Sequence, residues 1–288
     1  MKSMWTSADL RALDLEYAKA GVKPHARPLR AAVELLGGDF SMGVFANPEV
    51  KKITEAYRAL FPHVDETWPG MGIGVVVSGD QARKVTLGVP IGSPTATPWL
   101  AVGFKDETSW WSWCQENPQI AAGTALAFAD LHDFANGVEA LAPSNTGAAD
   151  LWHMAASNLS DVGTILPTTP SVDSVLQPIC LTAELSLKGA LTYLGEKYAF
   201  KHHLSVLSVA LAKVKPHRDD GLIAEVIQRF PDYVDSRYKA EGATRFTVVR
   251  LALAAQFIAA SSVRRLGPVD LAHAMESDSW PGKRQQFL

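Results

Sequence analysis

The sequence predicts an α+β protein: an N-terminal α/β domain with a small antiparallel sheet, then an all-helical bundle. Three observations carry that expectation. Strand texture is confined to about residues 71–105. Almost everything after residue 148 repeats its apolar residues at helical spacing. Between the two textures, Ala142-Pro143-Ser144-Asn145-Thr146-Gly147 reads as a linker. The expected domains are therefore residues 1–142 and 148–266, with a polar tail at 267–288.

The elements follow in order. Ser7-Ala8-Asp9 caps a helix that runs to Ala20 and stops at Gly21. Residues 28–36 allow a second short helix ended by Gly37-Gly38. Asn47-Pro48-Glu49 opens an amphipathic helix with Val50, Ile53, Ala56, Tyr57 and Leu60 on one face. Three short β-branched runs follow: MGIGVVVSG, RKVTLGVPIG and PWLAVGFKD. Their short links call for antiparallel pairing. Gly70, Gly72 and Gly74 lead into a strand rather than a helix, so they suit a tight turn and not a phosphate loop. Trp110, Trp111 and Trp113 are too dense for one buried face; they fit a seam between the two halves or a ligand platform. Gln119 to Ala142 continues as a long Ala-rich helix. Beyond the linker, helices are expected at about 148–166, 172–195, 201–214, 219–230 and 243–266, separated by prolines 167, 170, 216 and 231.

Bulk composition narrows the function. A chain of 288 residues with 47% hydrophobic and 20% charged residues can build real cores and is not disordered. A formal net charge of -3 does not advertise a general nucleic-acid binder, because non-specific phosphate binding needs surplus Lys and Arg. Any RNA contact must come from a local patch. Cys114 and Cys180 belong to no CxxC or His-rich cluster, so no zinc site and no cofactor is expected, only reduced buried thiols. The N-terminus lacks an apolar signal core. The longest apolar stretch, Phe246 to Val263, contains Arg250 and Gln256 and reads as a core helix rather than a membrane span. The expectation is a soluble, cytoplasmic protein with no membrane partner.

The bundle also carries an ordered set of motifs. Trp152, Ala155, Asn158 and Leu159 mark its first helix. AELSLKGALTYLG, residues 183–195, is an Ala-Glu-x-x-x-Lys helix ending in glycine. KHHLSVL opens the third helix with His202 and His203, and FPDYVDSRY ends in Arg237-Tyr238. Together these resemble HEPN domains, helical bundles of prokaryotic toxin and defence proteins and of some eukaryotic ones. The resemblance covers about residues 148–266. It implies a two-fold homodimer and an RNA or protein partner. Active HEPN ribonucleases carry an Arg, four to six residues, then a His in a late helix. Residues 148–288 hold no such pair; Arg265 and His273 come closest, and Arg58…His63 is a formal match in the other half. The implied function is a degenerate, defence-type or toxin–antitoxin-type binding protein that does not cut. Two other readings stay open. One is a metal-independent endoribonuclease using Arg237 with His203 or His217. The other is a dimeric scaffold whose N-terminal domain binds a small ligand.

The site residues carry plain readings beside the functional ones. Glu184 and Lys188, at i and i+4, form either a surface pair or a half-buried structural pair, with phosphate binding by Lys188 a further option. His202 and His203 point about 100° apart on a helix and cannot share a metal. The plain arrangement packs His203 against the second helix and turns His202 to water. Arg229, Arg237, Tyr238 and Arg245 form the densest cationic and aromatic neighbourhood, as single-stranded RNA binding requires, although Asp232, Asp235 and Glu241 interleave. Their plain role is an arginine tying a loop to a helix C-terminus. The last helix has two apolar stripes, one of Leu251, Ala255, Ile258 and Ser262 and one of Val248, Ala252, Ala259 and Val263. A bundle helix needs one stripe, so the second implies a partner helix, either in a homodimer or in the N-terminal domain.

Overall fold

A computed structural model describes residues 5–37, 47–62, 71–78, 81–88, 99, 103–198, 203–231 and 242–284. The described residues form eleven α-helices and a two-stranded antiparallel sheet, which is an α+β architecture. The chain divides into two compact units, Met1–Trp68 and Pro69–Leu288.

The first unit holds α1 (Ser7–Lys19), α2 (Arg27–Leu36) and α3 (Pro48–Leu60). Thr6 and Asp9 build a reciprocal capping box on α1, and Asn47 caps α3 through Glu49 N–H. Gly37 ends α2 at φ 65°, a left-handed position that favours glycine. Leu10, Tyr17, Ala31, Ala32, Val50, Ile53 and Tyr57 are buried together as this unit's own core. Asp14 joins the three helices at its edge, accepting from Arg27 at 3.0 Å and from Tyr57.

The second unit holds β1 (Gly72–Ser78), β2 (Gln81–Leu87), α4 (Glu107–Glu116), α5 (Pro118–Leu141), α6 (Thr146–Ile165), α7 (Asp173–Tyr193), α8 (Leu204–Val214), α9 (Asp220–Ile227), α10 (Arg245–Arg264) and α11 (Leu271–Ser277). The strands pair from Gly72 with Leu87 to Ser78 with Gln81. Of the third expected strand, residues 98 and 100–102 lie outside the described residues, and Trp99 and residues 103–106 are not in a strand. The expected boundary at residues 142–147 is instead a short helical turn between α5 and α6, both in the second unit. The hairpin also belongs to this unit, not to an N-terminal α/β domain. Its glycines explain why. A Cβ on Gly72 would come within 3.1 Å of Ala135 on α5, and one on Gly74 would strike Gln256 and Leu131. Bare backbone lets β1 lie directly against the helices. Gln256, fully buried on α10, locks the arrangement. It accepts from Val75 N–H at 2.9 Å and donates to the carbonyls of Val75 at 3.1 Å and Ala127 at 2.7 Å.

Helix α6 approaches β1 just as closely. A Cβ on Gly163 would stand 2.7 Å from the Gly74 carbonyl oxygen and 3.1 Å from Ile73. Gly163→Ala should therefore lower the second unit's stability by about 1–3 kcal/mol, despite the helix propensity it gains. Gly221 on α9 is exposed, and nothing lies within 4 Å of an added Cβ. Gly221→Ala should raise stability by about 0.5–1 kcal/mol. Urea unfolding followed by circular dichroism reads both; two shifts of the same sign would contradict this packing.

Helix α10 is the axis of the core. Both of its predicted stripes are buried, from Val248 and Leu251 to Ser262 and Val263. It is also the one described helix long and apolar enough to cross a membrane, and 83% of that stretch is buried inside the chain. Trp110 stacks on Trp113 at 5.5 Å and against Phe104 at 5.4 Å, all within the second unit. Trp111 reaches the surface, 48% exposed, beside Trp280. Cys114 and Cys180 are free and buried, and burial pushes the Cys114 thiol pKa up.

Candidate functional site

An open cleft of about 190 Å³ lies between the end of α9 and the first turns of α10. Val226, Leu251 and Ala254 form its aliphatic part; Phe246, Thr247, Arg229 and Arg250 supply the rest. Local sequence places each group. Thr244 caps α10, its hydroxyl accepting from Thr247 N–H at 3.2 Å. Arg245 reaches back to the end of α6 and donates to the carbonyls of Leu166 at 2.9 Å and Thr169 at 3.2 Å. It thus performs the loop-to-helix anchoring expected of this neighbourhood, satisfying carbonyls that a helix C-terminus leaves open. Phe246 and Arg250, one turn apart, stack with the guanidinium 4.8 Å from the ring centre. Phe246 remains 47% exposed. Arg229 is paired with Glu225 at 2.5 Å.

Arg250 is the unusual member. It is half-buried, has no ion-pair partner among the described residues, and its Nε is buried with no hydrogen-bond acceptor. A shielded guanidinium N–H without an acceptor is costly unless something fills the position.

Beyond the other end of α9, a buried ion network ties α5, α9, α10 and α11 together. Arg264, 4% exposed, donates to Asp130 at 2.6 Å and to Asp133 at 2.7 Å. Asp133 also accepts from the Leu271 and Ala272 amides at 2.8 and 3.0 Å, capping α11. Arg284 grips Asp130 through two bonds of 2.8 Å and lies 4.7 Å over the Phe257 ring. Arg265 donates to Asp220 at 2.9 Å, and Arg218 pairs with Asp270. Burial alone would raise the pKa of Asp219; the His217 hydrogen bond and the Arg264 charge outweigh it and hold the carboxyl well below the ordinary value. Sequence reasoning missed this network. Its signal was Asp130 and Asp133, three residues apart in an otherwise Ala-rich apolar helix, and the Arg264-Arg265 pair ending another.

The predicted site residues scatter. Glu184 and Lys188 are buried on α7 and paired at 2.5 Å, with Lys188 5.7 Å from the Tyr198 ring centre. That is the structural reading of the pair. His203 precedes α8 and is exposed; it does not pack against the second bundle helix, because Leu204 and Leu207 take the inward positions. His217 contacts Asp219 at 3.3 Å and Ser261 at 3.5 Å, both through Nδ1. A catalytic relay needs the two ring nitrogens on different partners, so these three do not form a Ser–His–Asp triad. Arg265 is buried while His273 is exposed, and they form no pair. Arg229 lines the cleft. Arg237, Tyr238, His202 and His63 lie outside the described residues. Among the described residues, no group of three His, Cys, Asp or Glu could hold a metal ion. Compared with known proteins, the chain matches no family model, no curated protein and no solved structure.

Proposed function

We propose that this chain is a HEPN-like binding protein of the defence or toxin–antitoxin type, acting in the cytoplasm, which holds an anionic stretch of an RNA or protein partner without cutting it. Arg250 is the observation that supports this most. A half-buried guanidinium with no counter-ion among the described residues, on the wall of an open cleft, calls for an anion. The non-cleaving part rests on the lining: among the described residues, none of the seven that line the cleft can act as a general base near neutral pH. His217, the other catalytic candidate described, is held against Asp219 and Ser261.

The proposal includes a homodimer. Because α10 is covered within its own chain, pairing would use another face. Helix α8 offers one, with Val206 51% and Val209 67% exposed.

Incubating the full chain with total RNA and tRNA in the presence of a chelator tests the reading. The RNA should stay intact, and any complex should weaken in Arg250→Gln. Metal-independent cleavage that disappears in His217→Ala or His203→Ala would overturn the non-catalytic reading in favour of an atypical ribonuclease.

A further inference from the structure

We propose that Asp130 on α5, Phe257 on α10 and Glu276 on α11 form an arginine-recognition pocket. Arg284 is the ligand it holds within the chain, and an arginine on a protein partner takes its place, releasing residues 278–284. The pocket shares no lining residue with the cleft between α9 and α10, so it stands or falls apart from the binding reading above.

The chemistry of the pocket specifies a guanidinium. Asp130 is buried and accepts from both Nη atoms of Arg284 at 2.8 Å, one on each carboxylate oxygen. Glu276 lies 3.4 Å from Nε. The guanidinium carbon stands 4.7 Å from the centre of the Phe257 ring. A carboxylate fork on two nitrogens, a second carboxylate at the third and an aromatic face match a flat, five-donor cation. An ammonium is a point charge and fills the same fork poorly.

The walls of the pocket have anchors other than Arg284. Arg264 also donates to Asp130, at 2.6 Å, and is itself fixed by Asp133. Arg218 lies 3.6 Å from Glu276 and pairs with Asp270, the cap of α11. Asp133 holds the first amides of α11, and Phe257 sits in the middle of α10. A site formed in advance loses little to ordering when a ligand enters. Charge points the same way. Without Arg284, Asp130, Asp133, Asp219, Asp270 and Glu276 share two arginines, Arg218 and Arg264, with His132 and His217 beside them. That excess of carboxylates draws a cation.

The ligand itself rides on a lightly held segment. Residues 278–284 form neither helix nor strand, and none of them is fully buried. Among the described residues, the segment's ion pairs are those of Arg284. Trp280, half-buried, leans on the exposed Trp111 at 6.0 Å. An incoming arginine replaces the bonds of Arg284 one for one, so the exchange leaves no buried carboxylate bare.

The probes are acetyl-arginine amide and acetyl-lysine amide, titrated by calorimetry into the full chain and into its Arg284→Ala variant. The arginine probe should bind Arg284→Ala about tenfold more tightly than the lysine probe does. It should bind the wild type about tenfold more weakly than the variant, because the tethered Arg284 competes. In NMR of the wild type, the Arg284 Nε–H signal should leave its docked position as the arginine probe is added. Equal binding of the two probes to Arg284→Ala, or no binding of either, overturns the proposal. Equal binding of the arginine probe to variant and wild type also overturns it, since the probe then sits elsewhere. An Arg284 signal that stays in place while Arg284→Ala binds the probe overturns the exchange and leaves Arg284 a fixed structural residue. Should Arg284→Ala fail to fold, the wild type decides alone. Displacement of Arg284 by the arginine probe and not by the lysine probe is then expected, and any other result overturns the proposal.

Discussion

Replacing Arg264 with leucine is expected to destabilise the second unit by about 3–5 kcal/mol at neutral pH. The side chain is wholly buried and is the shared cation of Asp130 and Asp133, themselves 1% and 0% exposed. Asp130 would keep Arg284, and Asp133 would keep two backbone amides. Neither set replaces a guanidinium lying between the two carboxylates. The pH dependence gives a sharper signature. Burial acts to raise the pKa values of Asp133, Asp219 and Asp270. It is outweighed at Asp133 by His132 and Arg264, at Asp219 by His217 and Arg264, and at Asp270 by Arg218, so all three are depressed. A carboxylate depressed on folding gives its full stabilisation above its unfolded pKa, near about 4, and loses it as pH falls through the folded value. The wild-type chain should therefore keep this contribution from neutral pH down to about pH 4 and lose it below. In Arg264→Leu the buried carboxylates lose their cation and their pKa values rise, so protonation relieves them. The deficit against wild type should shrink as pH falls from 7 towards about 4. Urea denaturation across that range measures it. A deficit under about 0.5 kcal/mol at pH 7, or one that grows on acidification, would contradict the network described.

Helix boundaries were legible because their signals are local. Asn47-Pro48, Gly37 and the turn around Asn145 act within a few residues, and the helices start or stop there. The hairpin was legible for the same reason: β-branched residues and a short link. The division of the chain was not. Whether the hairpin joins the helices before or after it depends on Gln256, which lies 181 residues from Val75. The sequence marks Gln256 only as a polar residue inside an apolar run. Arg264 and Asp130 are 134 residues apart, and nothing local says that they meet. The cleft had a similar fate. Arg229 stood out in a cationic neighbourhood, but Arg250 read as an interruption in an apolar helix. Its importance comes from what surrounds it, an aromatic ring on one side and no acceptor at Nε.

Ala259→Arg is expected to abolish cooperative folding of the second unit, a loss exceeding about 4 kcal/mol. Read from the sequence, the stripe of Val248, Ala252, Ala259 and Val263 was a candidate dimer seam, and an arginine there would have given a folded monomer. The structure places all four residues at 1% exposure or less within a single chain. One turn beyond Ala259, Val263 is so close to α5 that a Cβ on Gly137 would come within 2.6 Å of it. Helices packed that tightly have no space for a guanidinium and its stem, and the buried carboxylates of α5, Asp130 and Asp133, already serve Arg264 and Arg284. The lost helix signal in circular dichroism, with aggregation in light scattering, is the expected outcome. A well-folded Ala259→Arg chain at half the wild-type mass would instead restore α10 as the seam between two copies. Loss of folding from a wild-type dimer would send the search for the seam to an exposed face, such as Val206 and Val209 on α8.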